Sequence, residues 1–154
     1  MSTWLLQYRE AIRNGEIIAG IELITELDNL IADIDDPRYI YDTNDAELRI
    51  DFMEHCIRLT KSPFYGKPMK LMLWQKAFIE VVYSFKLADR TYINAYGQEK
   101  HVDRFQKIVL LIGRKNAKSE TCSGLELTES IVGNEGADLV CSRNDDVQAS
   151  ILYD

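Results

Sequence analysis

Residues 108–119 run I-V-L-L-I-G-R-K-N-A-K-S, an apolar block followed by a small basic loop. The five apolar residues from Ile108 to Ile112 are β-branched or leucine and end at Gly113, a pattern that predicts a short strand buried on both faces. A polar turn, then Lys118-Ser119, then a segment with helical spacing follow. Strand, tight loop, Lys-Ser and helix make up the setting of a phosphate-binding loop. The first N–H groups of a helix lack intrahelical partners, and the helix dipole favours negative charge there. A lysine can then reach the outer phosphates, and a serine hydroxyl can ligate magnesium. In the common pattern G-x-x-x-x-G-K-[ST], the second glycine position is here Ala117 and the first is Ile112, with Gly113 one residue late. On these residues alone, a βα turn carrying a solvated lysine is the alternative reading.

Charge is segregated along the chain. Residues 1–60 carry a net −8, residues 61–118 a net +8 and residues 119–154 a net −7. The basic block ends at the loop, which suits an anionic ligand there. Three solvated faces of different sign would give the same counts. The overall net of −7 argues against a general nucleic-acid binder, which is more often basic throughout. The length of 154 residues fits one domain or a piece of a larger one. No run of 18 apolar residues predicts a membrane span, and residues 1–8 lack the features of a signal peptide. Cys56, Cys122 and Cys141 are odd in number and far apart, which suggests buried thiols in a reducing compartment. With only His55 and His101, a histidine-rich metal site is not expected.

Upstream, residues 3–13 and 16–34 have helical spacing, broken at Asn14-Gly15 and stopped at Asp35-Asp36-Pro37. Residues 39–42 read as a short link. Asn44, with Glu47 three residues on, predicts the cap of a third helix whose apolar stripe is Leu48, Phe52, Cys56 and Leu59. Residues 62–68 (S-P-F-Y-G-K-P) read as a loop. A fourth helix after Pro68 presents Leu71, Trp74, Phe78, Val81 and Phe85. Residues 90–99, with Tyr92, Tyr96 and Gly97, read as one arm of a hairpin or an edge strand. Downstream, a helix is expected from Ser119 to about Val132, with Cys122, Leu125, Thr128 or Glu129, and Val132 at helical steps, stopped at Gly133-Asn134. A second strand is expected over residues 137–142, and a further helix from about residue 144.

The predicted fold class is therefore α/β. An α-helical N-terminal region (residues 1–62) precedes the first part of a nucleotide-binding domain (residues 63–154). That domain would begin as a βαβ unit of the P-loop NTPase type, two parallel strands joined by a right-handed crossover helix. Two parallel strands do not make a stable open sheet, so the sheet is expected to be incomplete, with the chain truncated or completed by a partner.

Taken together, these residues resemble the large subunit of tailed-phage terminases, the ATPases that package viral DNA. The similarity covers about residues 45–154. It rests on Arg114-Lys115-Asn116-Ala117-Lys118-Ser119 against R-K-N-G-K-S, on Leu73-Trp74-Gln75, on Asp103-Arg104-Phe105 before the apolar run, and on Gln148-Ala149 after the following strand. The resemblance implies ATP and Mg2+ as cofactors. It implies that Lys118 contacts the β- and γ-phosphates, that Ser119 ligates magnesium, and that backbone N–H groups around Gly113 and from Lys115 through Asn116 and Ala117 to Lys118 cradle phosphate oxygens. Arg114 matches an arginine acting in cis on the γ-phosphate, and such fingers are worth about 10³–10⁵ in rate. A solvated loop arginine is its alternative. Gln75 matches a glutamine that reads adenine, for which an amide has both donor and acceptor. The implied partners are double-stranded viral DNA, a terminase small subunit, a portal protein and further copies in a homo-oligomeric ring. No membrane is implied, and the compartment is the host cell cytoplasm.

Two departures bear on activity. Ala117 replaces a glycine, which costs on the order of 1 kcal/mol if the position needs a positive φ. No run of four apolar residues followed by Asp-Glu occurs, so the carboxylates that would complete magnesium binding and orient water are not found in these 154 residues. Weak ATP binding without efficient hydrolysis by this chain alone is the expectation. Another phosphate-loop ATPase or kinase, and a non-enzymatic helical interaction module with a degenerate loop, are the competing readings.

Overall fold

The computed structural model describes residues 3–113 and 116–133. Helix α1 (Trp4–Arg13) starts where Thr3 accepts a hydrogen bond from the Leu6 N–H through its hydroxyl. It ends near Gly15, whose φ of 75° a glycine adopts without steric cost. Helix α2 (Ile21–Asp33) begins after Gly20, later than the spacing suggests. The residues between α1 and α2 are held instead by two backbone bonds, from Glu16 and Ile17 N–H to the Ala11 carbonyl.

The expected link over residues 39–42 is strand β1 (Tyr39–Tyr41). Helix α3 (Asn44–Cys56) has Thr43 rather than Asn44 at its cap. Its buried residues are Ala46, Arg49, Ile50 and Met53. The expected stripe was therefore rotated around the helix: Leu48 and Cys56 face solvent. Helix α4 (Leu73–Ser84) runs directly into strand β2 (Phe85–Ile93), which pairs with strand β3 (Glu99–Asp103). Residues 90–99, expected as one arm, instead hold the end of β2, the turn and the first residue of β3, so the hairpin's two arms are β2 and β3. The Asn94 side-chain oxygen accepts from the Tyr96 and Gln98 N–H groups, and Gly97 at φ 74° closes the turn. Helix α5 (Lys118–Val132) matches the expected helix after the basic loop, with Gly133 as its stop.

The sheet corrects the predicted fold class. Its order is β1-β2-β3, and both ladders are antiparallel. No parallel pair and no βαβ unit occurs among the described residues. The apolar run 108–112 is not a strand. Val109 is 89% exposed and Leu111 93%, and the chain leaves the sheet after the Arg104 N–H bonds to the Phe85 carbonyl. An apolar run records a tendency to be buried. It does not supply the neighbouring strand that a ladder needs. The expected partner strand at residues 137–142 lies outside the described residues. So do the helix expected from residue 144, Cys141 and Gln148.

Two apolar clusters hold the fold. One joins Ala46, Ile50 and Met53 of α3 to Met69, Leu71 and Ile79, with Leu125 of α5 packed against it. The other joins Leu5, Ile12, Leu27 and Leu30 to Phe85, with Tyr39, Tyr41 and Phe105 around it. Between them lies the carboxylate of Glu80, which accepts from the Trp4 and Leu5 N–H groups at 2.7 and 3.1 Å and from the Tyr41 hydroxyl. Two free amides at the start of α1 are thereby satisfied by an acid placed where the dipole favours it. Burial, reinforced by Glu80, pushes the Tyr41 phenol above its ordinary pKa. No described helix is long and apolar enough to cross a membrane.

Candidate functional site

The basic loop reaches α5 through a residue in the left-handed region. Ala117 sits at φ 54°, ψ 27°, the only described non-glycine residue with positive φ. This is the conformation in which a glycine would be unstrained. No side chain caps α5. Its first internal backbone bond runs from the Thr121 N–H to the Ala117 carbonyl, leaving the amides of the first turn directed away from the helix. Lys118 is exposed and Ser119 half-buried at this end. Asn116 is exposed and folds back, its Nδ2 lying 3.2 Å from the point where a Cβ on Gly113 would stand.

Gln75 meets the same helix end from the other side. Its Nε2 donates to Thr121 Oγ1 at 2.6 Å, and its Oε1 accepts from the Met72 N–H at 2.6 Å. Thr121 in turn donates to the Ala117 carbonyl at 2.7 Å. Gln75 is 2% exposed and Thr121 fully buried. The amide is thus turned inward, with one N–H of its NH₂ group beyond these two bonds. The structure links Gln75 through Thr121 to the Ala117 carbonyl, at the start of the helix whose first residues are Lys118 and Ser119. Arg114 and Lys115 lie outside the described residues.

Further along, α5 is fixed to α3 by a close approach and an ion pair. A Cβ on Gly124 would stand 2.8 Å from the Met53 methyl carbon, so a glycine lets the helices meet. Arg49, on α3, donates from Nε to Glu129 Oε1 at 2.6 Å and from Nη2 to Oε2 at 3.1 Å, with Tyr83 stacked 4.1 Å beneath the guanidinium. Burial opposes the Arg49 charge, but the bonds to Glu129 outweigh it and raise its pKa. Burial first, and Glu129 second, raise that of the Tyr83 phenol.

Thr121, Arg49 and Glu129 were missed from the sequence. The signal for Thr121 was present: Thr121, Gly124 and Thr128 recur at helical steps and form the buried face of α5. Of the expected positions Cys122, Leu125, Thr128 or Glu129, and Val132, Thr128 is on the buried face and the others lie around it. Cys56 and Cys122 are exposed rather than buried. His55 and His101 each place Nδ1 against a backbone oxygen, of Asp51 and Leu87 respectively, the structural use of histidine. No cluster of three metal-ligating side chains exists among the described residues.

No protein-family model matches the chain, and neither the curated proteins nor the solved structures give a match.

Proposed function

We propose that this chain carries the ATP-phosphate grip of a terminase-type DNA-packaging motor. The observation that carries the reading is the uncapped start of α5, opened by left-handed Ala117 and presenting Lys118 and Ser119. It does not rest on a parallel sheet. In this reading the backbone N–H groups of the first turn and of Lys115, Asn116 and Ala117 donate to phosphate oxygens. Lys118 neutralises the β- and γ-phosphates, and Ser119 takes one magnesium position. Arg114 stabilises charge on the γ-phosphate. Gln75 reads adenine only after releasing Thr121, because its amide is otherwise engaged. When bound, magnesium supplies charge neutralisation on the phosphates. Hydrolysis and duplex-DNA translocation belong to the complete motor, with its small subunit, portal and ring of copies.

Calorimetric titration of Mg-ATP into the chain and into Lys118→Ala tests the reading. Weak, saturable binding that Lys118→Ala abolishes is expected. Equal, negligible heats from both would favour the second reading, a helical interaction module. That reading draws on the two helix-lined cores and the exposed run 108–112.

A further inference from the structure

Two exposed surfaces of this molecule complement each other. The first is the start of α2 and the turn before it. Ile18 is 99% exposed and Ile21 69%, flanked by exposed Glu16, Glu22 and Glu26. From residue 14 to residue 37 the sequence holds seven acids and no base. Asp28 in this stretch is taken by Arg9 at 2.6 Å, whereas Glu16, Glu22 and Glu26 enter no ion pair among the described residues. The inner side of α2 is occupied: Leu27 and Leu30 pack against α1 and Phe85.

The second surface is the loop between α3 and α4. Phe64 is 54% exposed and Tyr65 77%, surrounded by exposed Arg58, Lys61, Lys67 and Lys70. Residues 57–72 hold these four bases and no acid. The loop is built rather than slack. Leu59 N–H bonds to the Lys67 carbonyl at 2.9 Å, Gly66 N–H to the Leu59 carbonyl at 2.8 Å, and Met69 N–H to the Ile57 carbonyl at 3.0 Å. The Lys67 ammonium lies 5.4 Å from the Phe64 ring centroid and enters no ion pair among the described residues.

An apolar pair rimmed by acids and an aromatic pair rimmed by bases, neither rim ion-paired among the described residues, are the two halves of an interface with an apolar centre and a charged edge. We propose that the Ile18–Ile21 surface of one copy docks on the Phe64–Tyr65 loop of a second copy of this chain. Each copy carries both halves, so a head-to-tail contact propagates into a ring or filament, while a two-fold contact forms both pairs at once. The contact deepens the assembly part of the proposed function, but it involves no residue of the basic loop. Loss of ATP binding would leave it standing, and the reverse.

Sedimentation velocity on the full chain tests it. The wild type should associate with rising concentration, and less so at high salt. Glu22→Lys/Glu26→Lys and Lys61→Glu/Lys67→Glu should each weaken self-association at least tenfold, because like charges would face one another. An equimolar mixture of the two variants should associate again. Ile18→Asp should also weaken association, and unchanged far-UV circular dichroism would show that these surface changes spare the fold. A wild type that stays monomeric overturns the proposal, as do variants that associate like the wild type or a mixture that fails to recover. A monomeric wild type whose Lys61 and Lys67 retain a labelled single-stranded oligonucleotide would overturn it in favour of nucleic acid.

Discussion

Gln75 Nε2 donates a 2.6 Å hydrogen bond to Thr121 Oγ1, and both side chains are buried. Through this bond α4 grips the first turn of α5, and the Thr121 hydroxyl passes the connection to the Ala117 carbonyl. Gln75→Leu keeps the volume but strands the Met72 N–H and removes a donor from Thr121. A loss of about 1–3 kcal/mol in urea denaturation is expected. A change below about 0.5 kcal/mol would show that water replaces the amide at this junction.

The left-handed backbone at Ala117 gives a second expectation. Ala117→Gly removes a Cβ from a conformation that disfavours it, although glycine also gains entropy when unfolded. The conformational gain should prevail, raising stability by about 0.5–1 kcal/mol in thermal unfolding. Destabilisation by the same amount would mean that Ala117 occupies ordinary helical dihedrals.

Arg49 and Glu129 form a largely buried pair, with side chains 5% and 20% exposed. Arg49→Met alone should cost about 3 kcal/mol, because it leaves the carboxylate facing Tyr83 and an apolar cluster. The double variant Arg49→Met/Glu129→Leu should recover most of that loss. A double-mutant cycle with no coupling would contradict the bidentate geometry.

Asp36 provides a pH test. Side-chain hydrogen bonds from Arg38, then the Arg38 backbone N–H, lower its pKa to about 2. A carboxyl lowered by folding stabilises the fold above its unfolded pKa, and that contribution is lost as pH falls through the folded value. A carboxyl-detected NMR titration should therefore place the Asp36 transition near pH 2. Arg38→Ala should return it to the ordinary aspartate range, and an unchanged transition would refute the assignment.

The local elements were more legible than their arrangement. α1 and α5 follow from periodicity and turn chemistry, because Thr3 and Gly133 act within a few residues of themselves, whereas the hairpin turn at Gly97 falls inside the stretch expected to be a single arm. The faces of α3 and α5 were each misjudged by about one position. Arg49, Glu129 and Thr121 have polar side chains that are buried only because each finds a partner on another element. The run 108–112 misled for a related reason: it reads as a buried strand, yet a strand needs a neighbour that the run cannot specify. The loop itself was read from residue types, and the structure adds the dihedral at Ala117 and the hold of Gln75.

The central claim is that ATP phosphates seat on the start of α5. An amide NMR titration with Mg-ATP addresses it directly. Saturable shifts concentrated at Asn116, Ala117, Lys118, Ser119 and Glu120, absent from Lys118→Ala, are expected. Shifts that avoid these amides, or that persist unchanged in Lys118→Ala, would contradict it.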